Sequence, residues 1–188
     1  MQNEITLTEY IDNEFEIIKL LKSTNREGID NLIEFLKENN YFMSYGGYKH
    51  HRYAGGLAEH SLNVYHIAKE HNKNCKEENI IIAALLHDIC KIQCNIPEIN
   101  SYGGHGKKSV RILEEYLHFT LTPEERRAIR FHLGHKAHLT DDETKSEYKQ
   151  AQTEELWHLI HVADSVDAGG YAREVYPFVE KVIDVFKL

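Results

Sequence analysis

Residues 77–92 read EENIIIAALLHDICKI. Two glutamates open the stretch, an unbroken apolar run follows from Ile80 to Leu86, and His87 and Asp88 come directly after it. The pattern predicts a helix over about Glu77 to Ile92. It is apolar nearly all round, which places it at the centre of a helical core rather than on its surface. A carboxylate at the end of such a helix cannot be buried alone, so Asp88 has to be paired, neutralised or bound to a cation. Adjacent helix residues project about 100° apart. His87 and Asp88 therefore reach one ion only if it sits beside the helix and both side chains converge on it. Lys91 lies one helical turn further on and shares that face.

Outward from this segment the pattern stays helical. Upstream, Phe15, Ile18 and Leu21 mark one face of a first helix, and Ile29, Leu32, Ile33 and Leu36 mark a second that follows Gly28. Tyr41 to Tyr53, with Gly46 and Gly47, reads as a loop, and its aromatic residues suit either loop packing or the stacking of a base. A third helix, from about Gly56 to Glu70, carries His60 among Leu57, Leu62 and Val64. Downstream, Pro97, Gly103 and Gly104 mark a loop, and a fifth helix covers about Lys107 to Leu117. Thr122-Pro123-Glu124-Glu125 is a helix start: a cap, a proline at the first position, and acids near the positive end of the dipole. That sixth helix ends near Gly134. Residues 135–150 are polar and read as an excursion. A seventh helix runs from about Thr153 to Ala168 and stops at Gly169-Gly170, and an eighth starts near Pro177. No repeat, low-complexity tract or convincing strand is present. The expectation is an all-α single domain with a motif core over about 48–170, on which helices at 8–39 and 177–187 pack.

Charge and composition narrow the partners. With 22 basic and 30 acidic residues the formal net charge is −8. Duplex nucleic acid selects for basic faces, so it is a poor partner. A phosphate can still be held where a metal ion and lysines concentrate in one cleft. The start MQNEITLTEY has neither a basic region nor an apolar run, and Ile80–Leu86 is far too short to span a membrane. Cys75, Cys90 and Cys94 form no C-x-x-C pair and read as reduced thiols, which points to the cytoplasm. The oligomeric state stays open, a homodimer included.

There are 13 histidines, so their positions have to discriminate among them. In LWHLIHVADSVDAGG (156–170), His161, Asp164 and Asp167 recur every third residue, and Asp164 sits inside an apolar run. His60, His87-Asp88 and Asp164 thus put potential ligands on the buried sides of three helices. Two imidazoles and two carboxylates suit a divalent ion with open positions, into which water and a phosphoryl oxygen can enter. Taken singly, each also has a structural explanation. His60 fits a core histidine, Asp164 a helix-to-helix hydrogen bonder, Lys91 a solvated lysine, and His105 or His132 a helix-end residue. His50 and His51 border the expected mouth. Lys107 and Lys108, near a helix N-terminus, suit either an anion or solvent.

The order His60, His87-Asp88, Asp164 resembles the HD superfamily of metal-dependent phosphohydrolases, and the flanking words carry the resemblance. HHRYAGGLAEHSLNV (50–64) resembles the H…GGL-x-EH-x-L segment of the branch that includes HD-type 3′–5′ exoribonucleases. ALLHDICKI (84–92) resembles their L-x-HDIGK signature, with Cys90 in the glycine position. GHGKKSVRILEEYLHFTLTPEERRAIRFHLG (104–134) resembles a stretch of small bacterial and phage HD hydrolases.

The resemblance implies an HD-type helical bundle that hydrolyses a phosphomonoester or phosphodiester of a nucleotide or related small phosphate. It implies His60, His87, Asp88 and Asp164 as ligands of one divalent metal, whether manganese, iron, cobalt, nickel or magnesium. Lys91 would contact the substrate phosphate; His51 at the mouth, Lys107 near a helix start and His135, three residues after His132, are read from their own positions as further substrate contacts. Asp88 would orient or deprotonate the attacking water, and His105 or His132 would protonate the leaving oxygen. In some branches the positions of His105 and His132 take a second metal or substrate. Leu133 stands where two-metal branches often have a second histidine. A non-catalytic nucleotide sensor and a di-iron HD-type oxygenase are the alternatives that the same residues allow.

Overall fold

The structure is a computed structural model that describes residues 6–47, 50–92, 104–134, 139 and 141–169. Among these residues every regular element is helical. In chain order they are α1 (Leu7–Ser23), α2 (Ile29–Glu38), α3 (Gly56–His71), α4 (Glu77–Leu86), α5 (His105–Arg111), α6 (Pro123–Phe131), α7 (Asp142–Ala151) and α8 (Glu155–Asp167). Short 3-10 turns occupy Tyr41–Met43 and Ile89–Lys91, and α5 widens into a π turn over Ile112–Tyr116. The all-α expectation holds. No helix is long and apolar enough to cross a membrane among the described residues. His135, Cys94 and the helix expected at 177–187 lie outside them.

α4 is the axis of the bundle. Asn79 through Leu86 are all buried, and α4 packs against α1, α3, α6 and α8. A helix apolar on every side requires neighbours on every side, and here it has them. α3 and α8 also pack on each other and flank its C-terminal end. Tyr41, fully buried at the mouth of α3, donates its hydroxyl to Leu85 O at 2.6 Å and lies 2.9 Å from Ser61 Oγ. It is a packing tyrosine and is closed to any stacked base.

Capping chemistry sets several boundaries. Thr6 and Glu9 form a capping box at α1, and Thr122 and Glu125 form another at α6, with Pro123 in the first turn. Glu125 has no exposure, and its carboxylate takes a two-pronged contact from Arg26, at 2.8 and 3.2 Å. This pair ties the α1–α2 connection to the start of α6.

Four expectations need correction. α4 ends at Leu86, not Ile92: His87 donates Nδ1–H to Ala84 O at 2.8 Å, and Asp88 leaves helical geometry before the Ile89–Lys91 turn. Phe15 does not share the inner face of α1. Ile17 and Leu21, one turn apart, are buried, whereas Phe15 lies about 200° round from Ile17 and is 69% exposed. The fifth helix begins at His105 and does not continue as an α-helix beyond Arg111. The polar stretch at 135–150 contains α7. Asp141 caps that helix by accepting from Thr144 N at 2.7 Å, and Glu147 pairs with Arg126 and Arg130. Tyr148 packs on Phe131 and Trp157. Its packing rests on ion pairs and one aromatic residue, so an apolar stripe never appears.

α5 approaches α6 closely because position 106 is glycine. A Cβ there would lie 2.2 Å from Arg130 O and 2.6 Å from Ile129 O. Gly106→Ala is therefore expected to destabilise the fold by about 3 kcal/mol, although alanine is the better helix former. Urea denaturation checks this; an alanine variant as stable as the parent would contradict the packing.

Candidate metal centre

Three helix ends converge on one buried point. His60 projects from the second turn of α3, His87 and Asp88 follow α4 directly, and Asp164 sits one turn before the end of α8. His60 and His87 have no exposure and Asp88 has 2%. His60 Nε2 lies 3.2 Å from His87 Nε2, 3.2 Å from Asp164 Oδ1 and 3.7 Å from Asp88 Oδ2. His87 Nε2 lies 3.3 Å from Asp88 Oδ2 and 3.9 Å from Asp164 Oδ1.

These separations match a coordination sphere. Donors about 2.1 Å from a shared ion stand roughly 3.0 Å apart at right angles and roughly 3.4 Å apart in a tetrahedron. The four residues form one of the groups whose donor atoms lie mutually close enough to hold a metal ion.

The imidazoles are oriented by what holds their far nitrogens. His87 Nδ1 faces Ala84 O at 2.8 Å, and His132, just past α6, places Nδ1 2.7 Å from Ile129 O. A carbonyl can only accept, so Nδ1 carries the proton in both rings and Nε2 presents its lone pair to the centre. His60 Nδ1 lies 2.6 Å from Asp167 Oδ2, again an acceptor. Two buried polar atoms at the centre have no hydrogen-bond partner among the described residues: Asp88 Oδ1 and His132 Nε2, 3.6 Å apart. Orphaned buried groups are costly, and both would be satisfied by a water or ligand between them.

The electrostatics favour a cation. Burial works to raise the pKa of Asp88, but Lys91, His87 and His132 outweigh it and hold the carboxylate well below its usual range. Burial opposes ionisation of Asp164 too, and hydrogen bonding to His60, with His87 and His132 nearby, overcomes it. His60 itself is pushed up to about 9, because Asp164 and Asp167 more than offset its burial. Without an ion, a proton on His60 fills part of the role a metal would take.

The other residues expected at the site are placed unevenly. Lys91 reaches Asp88 Oδ2 in a close ion pair and keeps 20% of its side chain exposed. His105 is exposed at the start of α5, with Nδ1 3.7 Å from Cys90 Sγ, and together with Cys90 and Asp88 it forms a second potential ligand group. The Cys90 thiol is pushed up to about 12, chiefly by burial, with Asp88 adding to the effect. His132 is buried, and burial pulls it down to about 4. A neutral imidazole whose free nitrogen is a lone pair accepts hydrogen bonds and has no proton there to give, so the role of proton donor to a leaving oxygen does not fit it.

Lys107 is exposed, and its charge adds to that of Arg111 in lowering the pKa of the Glu115 carboxyl. His51 does not offer a ring nitrogen to substrate: Nε2 lies 2.8 Å from Asp167 Oδ2 and Nδ1 lies 3.1 Å from Glu59 Oε2. Its neighbour His50 packs its ring 5.1 Å from that of His60 and leaves Nδ1 buried without a hydrogen-bond partner. Burial, with His60 and Lys91 nearby, lowers His50 to about 4. Asp167, Asn63 and Glu59 also line this region without having been expected there. Spacing is the signal that marks two of them, since Asp167 follows Asp164, and Asn63 follows His60, by three residues.

A scan against protein families matches the HD domain over residues 57–169, more than half of the chain. No curated protein and no solved structure matches the chain.

A histidine must lose its proton to ligate a metal. With His60 raised to about 9, metal affinity is expected to climb about tenfold per pH unit from neutrality and to level off above that value. Calorimetric titration with a divalent metal in buffers of different ionisation heat measures both the affinity and the proton released. Affinity that stays flat over this range would contradict the protonated His60.

Proposed function

The chain belongs to the HD domain family, and from that premise we propose that it is a metal-dependent phosphohydrolase acting on a phosphomonoester or phosphodiester of a nucleotide or related small phosphate. The observation that carries the reading is the pair of orphaned buried atoms, Asp88 Oδ1 and His132 Nε2, beside four converging donors and a lysine. His60, His87, Asp88 and Asp164 would hold the ion. When bound, a divalent ion at such a site supplies a water of lowered pKa and a Lewis-acid contact to a phosphoryl oxygen.

The chain's own groups account for the rest. Asp88 Oδ1 is available to accept a hydrogen bond from the attacking water and align it. His132 Nε2, a buried lone pair, accepts from the same water and limits its rotation. Lys91 has two ammonium protons beyond the one directed at Asp88, and its partial exposure lets them meet an equatorial phosphate oxygen as negative charge builds there. His105, on the exposed side of Asp88, is the histidine positioned to hand a proton to the leaving oxygen. The net charge of −8 favours a small phosphate drawn to a local cationic site over a long polyanion.

The test is a phosphate-release screen of the metal-reconstituted protein against nucleotides, cyclic dinucleotides and short oligonucleotides. At least one class is expected to turn over. His87→Ala and Asp88→Ala are expected to lose both metal retention and turnover. Lys91→Ala should retain metal and lose about 10²–10³-fold in turnover, the scale of removing one donor to a developing oxyanion. No release from any class would overturn the proposal, as would two irons per chain with dioxygen consumption.

A further inference from the structure

Asp167 closes α8 and has 10% of its side chain exposed. It is not among the four converging donors, yet its carboxylate meets three side chains. Oδ2 lies 2.6 Å from His60 Nδ1 and 2.8 Å from His51 Nε2, and Oδ1 accepts from Asn63 Nδ2 at 2.8 Å. Asp164, one turn earlier on the same helix, faces the opposite nitrogen of the same His60 ring at 3.2 Å. One helix therefore grips both nitrogens of a single imidazole.

The second donor, His51, is held rigidly. Its backbone sits in the left-handed region at φ 48°, a conformation uncommon for a side-chain-bearing residue. Gly46 N donates to His51 O at 2.9 Å, and a Cβ on Gly56 would lie 2.1 Å from that same oxygen. The turn that carries His51 fits only because positions 46 and 56 have no side chain. On its other side His51 Nδ1 meets Glu59, the residue before His60, and Tyr53 donates its hydroxyl to the same Glu59 oxygen. An unbroken path runs from Tyr53 through Glu59, His51 and Asp167 to His60.

We propose that Asp167 is a positioning residue that fixes the tautomer and ring orientation of His60 for metal binding and locks the 50–53 loop to that ligand. The inference rests on the metal reading of the centre. A carboxylate on Nδ1–H leaves the Nε2 lone pair facing the other donors and prevents the ring from turning away. Because His51 shares the oxygen that holds His60, the loop and the metal ligand are set by one carboxylate. His50, adjacent on that loop, is thereby held against the centre.

The test uses the full chain, stripped of metal, with Co2+ as the probe and visible absorbance as the readout. Asp167→Asn is expected to weaken Co2+ binding about 10–100-fold. In imidazole nitrogen NMR of the metal-free protein at alkaline pH, His60 should pass from a single Nδ1–H form to a mixture, a change that a purely structural role would not produce. Lower thermal stability with unchanged Co2+ affinity and an unchanged His60 signal would overturn the proposal. If Asp167→Asn does not fold, His51→Phe decides: weaker Co2+ binding supports the lock and unchanged binding overturns it. A wild-type chain that binds no Co2+ would overturn the metal reading and this inference with it. Tight wild-type binding matched by Asp167→Asn would overturn this inference alone.

Discussion

A carboxylate at 2% exposure, attached to the end of a helix apolar on all sides, has to be compensated by whatever surrounds it. For Asp88 the compensation comes from four side chains. Lys91 arrives from the following 3-10 turn, His87 from the preceding residue, His60 from α3 and His132 from the end of α6. Two of these supports come from other helices. The packing of α3, α6 and α8 around α4 and the chemistry at its tip are thus two aspects of one arrangement. Even with all of them in place, one Asp88 oxygen remains without a partner. That residual deficit separates a site from a merely satisfied ion-pair cluster.

The orientation of the donors is built from ordinary backbone features. His87 and His132 both follow a helix end and both return Nδ1–H to the carbonyl three residues earlier. A helix leaves its last carbonyls without intrahelical partners. An imidazole just past the end takes one of them, and its other nitrogen must then point away from the helix. The same capping interaction completes the helix and aims the lone pair. His60, inside the second turn of α3, has no free carbonyl to use and takes a carboxylate from α8 instead.

Most of this was legible in the sequence wherever burial and period agreed. The run Ile80–Leu86 announced a central helix, Thr122-Pro123-Glu124-Glu125 announced a helix start, and the ordered His60, His87-Asp88 and Asp164 are brought to one point. What escaped has physical causes. α7 has little apolar surface, because Glu147 with Arg126 and Arg130 does what a stripe would do elsewhere. Phe15 is large and apolar yet exposed, and period alone could not say which side of α1 meets the core. His50 and His51 are adjacent and chemically identical, and only the fold separates them. The left-handed turn at His51 commits that ring to two carboxylates and leaves the other facing His60. His132 was expected among the catalytic groups, but only its burial and its bond to Ile129 show that its free nitrogen is a hydrogen-bond acceptor.

The contact between Arg26 and Glu125 bears on where a self-sufficient unit begins. The stretch matching the family starts at residue 57, thirty-one positions after Arg26. Glu125 lies within that stretch, wholly buried, and its cationic partner lies outside it. Losing one member of a buried ion pair costs about 3–5 kcal/mol, a large share of the stability of a typical domain. α1 and α2 are therefore more than an appendage to the stretch matching the family. Their connection carries the counter-charge that lets α6 keep a carboxylate in its cap, and α6 in turn delivers His132 to the centre. Sequence likeness outlines the part of the chain that resembles the family, while charge balance draws a wider boundary around the part that folds together.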